Sequence, residues 1–438
     1  MIESNKKTSL VHFLKKLQQK QISSNNIIDC FPEVFTNLTE NEISVEDYKN
    51  RIDFTKEKAF TLDCESCKDM DDAVCIKKTM YGYKLSVHIA DVSSYITPFS
   101  ELEQLAVSRT TSFYFPGITI PMLPKILSEN LCSLNPNVER LTLSVTMKIN
   151  HDGKLIDYAV NKGKIISRVK GIYSEVNKLL NGSRSINLLL KYQEVYDELF
   201  HMKELYRLLR NERIKRGSIP ENNERPNIKV SETDIIVTPI KRGVAEKAIE
   251  EFMVLANHAI ALYLTEHNLP AIFRIQDADN DMASYCPSIT QHKSLCLESY
   301  VHFTSPIRRC SDLFIHQILS MHLNGYSHYI IHEVFDSYLP SICVRVTKRS
   351  RTAKQVQAIC EKYCYETYIE KHKNKRYEGT IVGFDKQNNP VVRIDELKYF
   401  VCCYVLNNAT IGERISFFVS LYEKTKKYSA YGVKRLLR

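Results

Sequence analysis

Four aspartates lie within ten residues of one another in the segment TLDCESCKDMDDAVCI, residues 61–76. They are Asp63, Asp69, Asp71 and Asp72, and the apolar stretches AFTL and AVCI flank them on either side. Both flanks are typical of buried strand residues, so the acidic segment is expected to border a core. Because like charges repel and an unpaired buried carboxylate is unfavourable, a positive group is expected among the four side chains.

Three explanations compete for this acidic segment. The simplest is a solvated acidic loop, although the apolar flanks argue against it. A calcium loop of the EF-hand type needs a ligand and a glycine where the chain has Ala73 and Val74, so that explanation fails. A magnesium site uses hard carboxylate oxygens and fills its other positions with water and phosphate. Spacing alone leaves the loop and the magnesium site open.

Cys64 and Cys67 form a C-x-x-C motif inside the same segment. A structural zinc site would need a second Cys or His pair at matching spacing, and the sequence offers none, so we predict that the two thiols only fill space. The 13 cysteines are scattered irregularly, and the N-terminal residues lack the apolar core of a secretory signal. This combination predicts reduced thiols and a cytoplasmic protein.

The charge balance favours an anionic partner. The chain has 60 Lys and Arg against 51 Asp and Glu, a net charge of +9, which does not by itself identify that partner. Basic stretches at residues 207–217, 348–354, 424–427 and 433–438 are candidates for binding a phosphate backbone, although each alone is more typical of a solvated face. The sequence contains no apolar run long enough to span a membrane. We predict no membrane association and no obligate protein partner.

The periodicity of apolar residues predicts an α+β fold. Residues 1–55 are predicted to be a short leader that is partly helical. Strand patterns follow from about Ala59, including a hairpin in which LTLSVTMKIN and KLIDYAVNKGKIIS are joined by the turn HDG. Long helices are predicted at residues 186–217, 244–268, from about 311, and at 348–372.

Strand patterns return after residue 373. Five short strands in this segment indicate a small closed barrel of the OB type. The predicted division is therefore a leader (1–55), a main domain with a mixed sheet and packed long helices (56–372), and a barrel (373–438).

Five segments, in order, resemble the ribonuclease II/ribonuclease R (RNB) family of exoribonucleases. They are TLDCESCKDMDDA, VHIADVSSYI, RTTSFYFPGITIPMLPKILSENLCSLNP, AIEEFMVLANHAIA and YVHFTSPIRRCSDLFIHQ. The final barrel resembles the S1 RNA-binding domain of that family. The resemblance implies a Mg²⁺-dependent hydrolase, with Mn²⁺ as a substitute, that degrades single-stranded RNA processively from the 3′ end to nucleoside 5′-monophosphates.

The same resemblance implies a site of six side chains. They are the metal-binding Asp63, Asp69 and Asp72, the catalytic Asp71, the base-stacking Tyr114, and Arg308, which is both catalytic and phosphate-binding. Two rivals remain: a catalytically inactive RNA-binding protein on the same scaffold, and a hydrolase of DNA or nucleotides.

The residues around Arg308 support a phosphate site independently of the resemblance. Thr304 or Ser305 is a candidate N-cap and Pro306 a first helical residue, which predicts Arg308 in the first turn of a helix. A cation there opposes the helix dipole unless an anion lies in front of it. The structural alternative is an Arg308–Asp312 pair on the helix surface.

Tyr114 and four other polar positions have structural alternatives. Tyr114 would otherwise be a core aromatic beside Phe113 and Phe115. His88 and Asp91 are predicted to be structural. The resemblance also suggests that Glu251 or Asn257 faces an RNA channel, although helix carboxylates are usually solvated.

The chain departs from the family pattern in three places. Bacterial members usually carry two cold-shock-type domains before the acidic signature, whereas about 58 residues precede it here. The segment between residues 276 and 285 is shorter than usual. The barrel also lacks the Gly-aromatic signature of a typical S1 domain.

Overall fold

Strands, long helices and a final run of strands follow one another along the chain, as the α+β prediction requires. The computed structural model describes residues 2–36, 45–218, 226–239, 242–276, 283–422 and 427–436. The strands are β1 (Ile52–Asp53), β2 (Thr61–Asp63), β3 (Asp72–Thr79), β4 (Gly82–Ala90), β5 (Phe113–Phe115), β6 (Ile118–Ile120), β7 (Glu139–Asn150), β8 (Leu155–Ile166), β9 (Lys170–Ile172), β10 (Asn227–Val230), β11 (Ile235–Thr238), β12 (Phe273–Ile275), β13 (Ser284–Cys286), β14 (Tyr377–Phe384), β15 (Pro390–Ile394), β16 (Phe400–Cys403), β17 (Arg414–Tyr422) and β18 (Lys427–Arg435). The helices are α1 (Ile2–Ser24), α2 (Val45–Lys49), α3 (Glu101–Arg109), α4 (Tyr173–Leu180), α5 (Ile186–Lys191), α6 (Tyr196–Lys215), α7 (Val244–Glu266), α8 (Cys310–Leu323), α9 (His328–Phe335) and α10 (Leu339–Lys371).

Parts of two predicted features lie outside the described residues. They are residues 277–282 of the shortened segment, and residues 424–426 and 437–438 of the C-terminal basic stretches. Among the helices that the structure describes, none combines the length and the apolar character that a membrane crossing requires.

Alternating apolar residues build a five-stranded sheet in the order β1–β8–β7–β4–β3. The predicted hairpin is confirmed, since β7 and β8 pair antiparallel with Glu139 opposite Ile166. Gly153 in the connecting turn has φ +83°, and a Cβ at this position would lie 2.6 Å from the carbonyl oxygen of Leu208 in α6. The turn therefore requires glycine, and the tip of the hairpin lies directly against α6.

The helical centre of the chain contains one break that the sequence pattern does not predict. Residues 186–217 form α5 and α6 rather than one helix, and Tyr192 between them is fully buried. Its hydroxyl accepts a hydrogen bond from the N–H of Ile172 (2.9 Å) and donates one to Glu175 (2.6 Å). Gly217 ends the helical segment with φ +94°, as predicted.

The other long helices form where the pattern predicts them. The helix α7 lies against β4, β7 and β8, and it buries Phe252, Ala256 and Ile260 in the main core. The helix α10 begins well before the predicted residue 348, with a proline in its first turn, where the missing N–H does no harm.

The C-terminal strands close into a barrel in the order β14–β15–β16–β18–β17, which confirms the predicted architecture. Alternate residues point inward, and Ile381, Val392 and Phe417 are fully buried. Strands β16 and β18 run parallel, and the other neighbouring strands run antiparallel.

A second hydrophobic core joins α1, α10 and the barrel. Val11 and Leu14 of α1 and Cys360 and Cys364 of α10 belong to the same buried cluster as the barrel interior. The helix α1 is therefore part of the folded protein, because it packs against α10. We retain residues 1–55, 56–372 and 373–438 as a proposed division, and the boundary after residue 372 falls between α10 and β14.

A buried ion pair ties residues before the sheet to three of its strands. Arg51 donates to Asp91 (2.6 Å), and also to the carbonyl oxygens of Thr142 in β7 and Gly163 in β8 (both 3.3 Å). Burial alone would raise the pKa of Asp91, but Arg51 and its other partners hold that pKa well below its usual value. Asp91 is thus a buried anion that stabilises the sheet.

His88 is also buried inside the sheet. Its Nδ1 lies 2.8 Å from the hydroxyl of Ser144, and its Nε2 lies 3.6 Å from a carboxylate oxygen of Glu57. These contacts give His88 a packing role, in agreement with the sequence-based interpretation.

We expect Asp91→Ala to lower the free energy of unfolding by about 3–5 kcal/mol, because it leaves Arg51 buried beside a lost partner. The control is Asp157→Ala, which removes the exposed Lys148–Asp157 pair (2.8 Å) and should change the stability by less than about 1 kcal/mol. Urea unfolding of the two variants and the parent measures the difference. Equal midpoints for the two variants would contradict the proposed role of Asp91.

Candidate active site

The acidic segment begins at the end of one short strand and ends at the start of the next. Asp63 is the last residue of β2 and Asp72 the first of β3, and these strands lie side by side because Phe60 bridges to Val74. The intervening loop makes a turn in which the N–H of Cys67 donates to the carbonyl oxygen of Cys64 (3.1 Å). The fold thereby gathers carboxylates that lie apart in the extended chain.

The four carboxylates differ in exposure. Asp71 is 3% exposed, whereas Asp63, Asp69 and Asp72 are half-buried. The solvated-loop explanation therefore fails for Asp71, because a surface loop would leave it in water.

Burial and mutual repulsion raise the pKa of three of these groups. Burial raises the pKa of Asp63 to about 6, with a further contribution from Asp69. Burial, followed by repulsion from Asp63 and Asp71, raises the pKa of Asp72 well above its usual value. Burial also raises the pKa of Asp71 to about 7, although Arg308 opposes this effect. The cluster holds more negative charge than its protein neighbours neutralise.

These residues fit a hard divalent cation. Carboxylate oxygens that repel one another in a half-buried loop are the donors that Mg²⁺ accepts, with water and phosphate completing its shell. Within the described ranges, no three His, Cys, Asp or Glu side chains converge closely enough to hold a metal ion by themselves. Ligands from solvent and substrate are thus needed to complete such a site.

Arg308 is a positive group beside the four aspartates, as their repulsion predicts. Its Nε donates to Oδ2 of Asp71 (3.2 Å), and the N–H of Ile307 donates to Oδ1 of the same carboxylate (2.9 Å). Its Nη2 donates to the hydroxyl of Ser305 (2.7 Å). The side chain remains 41% exposed, so part of the guanidinium faces solvent.

The predicted position of Arg308 in a helical turn is wrong. The helix α8 begins at Cys310, and residues before it form a turn that is fixed by Asp312. Asp312 accepts from the N–H of Ser305 (2.8 Å) and from Arg309 (2.6 Å). The helix starts later than the capping pattern predicts because the N–H of Ile307, which a Ser305 cap would bind, donates to Asp71 instead. The alternative Arg308–Asp312 pair is also wrong, because Asp312 pairs with Arg309 and Arg308 pairs with Asp71.

Tyr114 points in the opposite direction from its two aromatic neighbours. Phe113 and Phe115 are 2% and 6% exposed, whereas Tyr114 is 37% exposed. Residues alternate between the two faces of a strand, so β5 buries the two phenylalanines and presents the tyrosine. The core-packing alternative is therefore wrong for Tyr114.

The strand that carries Tyr114 is bonded to the Arg308 turn. The N–H of Ser112 donates to the carbonyl oxygen of Arg308 (3.0 Å). Partial burial raises the pKa of Tyr114, and Arg308, Asp69 and Asp71 are close enough to influence it. The structure thus brings the six predicted site residues into one region.

Two residues that hold the site together have weak sequence signals. Asn257 is 3% exposed; its Oδ1 accepts from the N–H of Phe303 (2.8 Å) and its Nδ2 donates to the hydroxyl of Tyr300 (2.9 Å). It thereby fixes the segment that leads into the Arg308 turn. The bond from the backbone N–H of Ile307 to Asp71 has no signal in the sequence, because any residue supplies it.

Glu251 is held by ion pairs inside the protein. It is 3% exposed and pairs with Arg210 (3.0 Å) and Arg213 (3.1 Å). Two arginines of the basic stretch at residues 207–217 are therefore used in ion pairs within the protein.

The second basic stretch is also partly structural. Arg349 donates to the carbonyl oxygens of Asn25 and Asn26 (2.8 and 2.7 Å) and lies 5.3 Å from the ring centroid of Phe113.

The C-x-x-C thiols have different surroundings. Cys67 packs against the main core, which agrees with a space-filling role. Cys64 is exposed, so the same interpretation is wrong for it.

The chain matches the family model "RNB domain" over residues 51–285 and 280–325. It is 31% identical to ribonuclease R 1 of Lactococcus lactis, over 83% of this chain and 51% of that protein. The chain spans about half to three-fifths of the length of the ribonuclease R relatives that it matches.

Solved structures of Mycoplasma genitalium RNase R have the same fold. The apo form superposes with a TM-score of 0.81 at 24% identity, covering 94% of this chain and 77% of that one. A complex of that protein with ribose-methylated single-stranded RNA gives 0.79 at 25% identity, covering 96% and 74%.

The raised pKa of Asp71 can be tested by thermal unfolding of the protein in EDTA. Because this pKa of about 7 lies above that of an unfolded aspartate, the folded protein loses stability as the pH rises through about 7. Asp71→Asn cannot ionise, so its melting temperature relative to the parent should rise between about pH 5 and about pH 8. Thermal unfolding of both proteins measures this difference.

The control for this test is Asp157→Asn, at an exposed carboxylate far from the cluster. Its difference from the parent should stay constant over the same range. A constant difference for Asp71→Asn as well would contradict the raised pKa.

Proposed function

The chain belongs to the RNB domain family, and on this premise we propose that it is a Mg²⁺-dependent hydrolytic exoribonuclease. It would degrade single-stranded RNA processively from the 3′ end and release nucleoside 5′-monophosphates. The observation that carries the proposal is the contact of Asp71 with Arg308 beside three further aspartates. The names of the ribonuclease R relatives and the RNA complex of the Mycoplasma protein support the choice of substrate.

The three half-buried aspartates are the proposed metal ligands. Asp63, Asp69 and Asp72 would hold Mg²⁺ through carboxylate oxygens. When bound, the cation lowers the pKa of a water molecule and neutralises charge on the phosphate.

Asp71 has two proposed roles. Its carboxylate keeps the Arg308 guanidinium in place through the bond between Nε and Oδ2. A carboxyl with a pKa near 7 can also take a proton from an attacking water at neutral pH, which is the property of a general base.

Arg308 and Tyr114 are the proposed substrate-binding residues. The exposed part of the guanidinium can donate two hydrogen bonds to a phosphate and offset the charge that develops during hydrolysis. The exposed ring of Tyr114 on the neighbouring strand can stack on the last base of the RNA.

The activity is tested with 5′-labelled single-stranded RNA in Mg²⁺ and in EDTA. In Mg²⁺ only, we expect full-length RNA to disappear, a short labelled end product to accumulate with few intermediates, and free nucleoside 5′-monophosphates to be released. A matched DNA oligomer tests the nucleotide-hydrolase rival, because only the 2′-OH distinguishes the two substrates. RNA binding without shortening by the folded protein would favour the inactive RNA-binding alternative and overturn the proposal.

We expect Asp71→Asn to lower the rate of RNA degradation by at least about 100-fold, the loss that follows removal of one preorganised catalytic group. Its affinity for RNA should change little, because Asp71 does not contact the bases in this proposal. Single-turnover rates and filter binding measure the two quantities. Asp157→Asn is the matched control, and a rate equal to the parent's in Asp71→Asn would remove Asp71 from the mechanism.

We expect Tyr114→Ala to weaken RNA binding by about 1–3 kcal/mol, the contribution of one aromatic–base stack. Tyr114→Phe keeps the ring and should bind like the parent. Equilibrium binding of both variants to one labelled RNA makes the comparison. Equal weakening in the two variants would assign the effect to the hydroxyl rather than to stacking.

A further inference from the structure

The two cysteines of the acidic loop are placed for bonding to each other. Cys64 and Cys67 occupy the first and last positions of a turn closed by the bond between the Cys67 N–H and the Cys64 carbonyl oxygen (3.1 Å). Such a turn holds its end Cα atoms within about 7 Å, and a disulfide needs roughly 4.4–6.8 Å. Both thiols are free. The turn therefore brings the two residues to the Cα spacing at which an intramolecular disulfide can form.

The side chains of these two cysteines are within reach of solvent. Cys64 is exposed and Cys67 is half-buried, whereas of the 13 cysteines Cys30 is the other exposed one and lies outside this loop. A small oxidant can thus reach Cys64, and Cys67 lies at the other end of the same turn.

Cys67 also contacts one of the proposed metal ligands. Its Sγ donates to Oδ1 of Asp69 (3.4 Å). This thiol proton restrains the Asp69 carboxylate. Loss of that proton would alter the acidic loop directly.

We propose that Cys64 and Cys67 form a reversible disulfide in the presence of a peroxide, and that this bond weakens cation binding by the acidic loop. The consequence for RNA degradation rests on the function proposed above. The reduced dithiol is the active form, and its oxidation is a covalent modification within the acidic loop.

The chemistry balances with hydrogen peroxide as the oxidant. The Cys64 sulfur attacks one peroxide oxygen, which gives a sulfenic acid and releases one water. The Cys67 sulfur then attacks the Cys64 sulfur, forms the S–S bond and releases the sulfenic oxygen as a second water. The two thiols lose two hydrogens and two electrons, and the peroxide is reduced to water. A dithiol reductant reverses the change.

The disulfide changes the surroundings of the carboxylates. The S–S bond holds the Cys67 sulfur at about 2.0 Å from that of Cys64 and removes its proton. Asp69 then loses this donor, and its carboxylate is no longer restrained by the thiol. Partners that orient metal ligands typically contribute about 10- to 100-fold to metal affinity or activity. We expect an effect of that size.

The test compares the reduced protein with protein treated with hydrogen peroxide. Intact mass and peptide mapping should show the loss of two of the 13 thiols as a Cys64–Cys67 disulfide. The rise in melting temperature that MgCl₂ causes without RNA should shrink. RNA degradation should slow by about 10- to 100-fold, and dithiothreitol should restore both properties.

Two variants separate this modification from general oxidation. Cys64→Ser cannot form the bond and should keep the Mg²⁺-dependent thermal shift after peroxide. Cys30→Ser removes the other exposed thiol and should respond to peroxide as the parent does. The Cys64 variant changes an exposed residue, so folding is preserved.

Three outcomes overturn the inference. Peptide mapping could find Cys64 and Cys67 unbonded after Cys30 has been oxidised. The disulfide could form and leave the Mg²⁺-dependent thermal shift unchanged. Cys64→Ser could lose that shift to the same extent as the parent. If the reduced protein does not degrade RNA, the proposed function fails, but the mass and thermal measurements still decide this inference.

Discussion

The carboxylate of Asp71 is bonded to the backbone N–H of Ile307 and to the guanidinium of Arg308, which lie more than two hundred residues further along the chain. Burial removes the water that solvates a carboxylate, and this loss destabilises the fold unless hydrogen bonds and an opposite charge compensate for it. The pair holds the edge of the sheet against the turn that precedes α8. It also neutralises only part of the acidic loop, so the remaining carboxylates repel one another and favour a cation. Geometry and electrostatics of the whole site follow from this one contact.

The sequence predicts most strands and helices, because residues close together in the chain determine them. The β7–β8 hairpin and the C-terminal barrel follow from period-two alternation and turn residues, and α7 from its apolar stripe. The break at Tyr192 is different, because a bond from Ile172 creates it. The late start of α8 is also tertiary, since Asp71 takes the Ile307 N–H that a Ser305 cap would have used.

Some features of the site also depend on neighbouring residues in the sequence, and others depend on residues that folding brings together. A run of aspartates identifies the acidic loop, because four like charges beside a buried strand need an external explanation. The sequence does not reveal which carboxylate is buried, which cation faces it, or which face of β5 presents its side chain. Asn257 has the appearance of an ordinary helix residue until its bonds to Tyr300 and Phe303 are seen. Such roles depend on neighbours brought together by folding.

The helix α10 spans 33 residues, which corresponds to a rod of about 50 Å. One part of it lies against β5, where Arg349 stacks on Phe113, and its far end leads into the barrel. The strand that it touches also carries Tyr114 on its other face. The same helix therefore sets the spacing between β5 and the barrel, because its residues belong to one buried cluster with both of them.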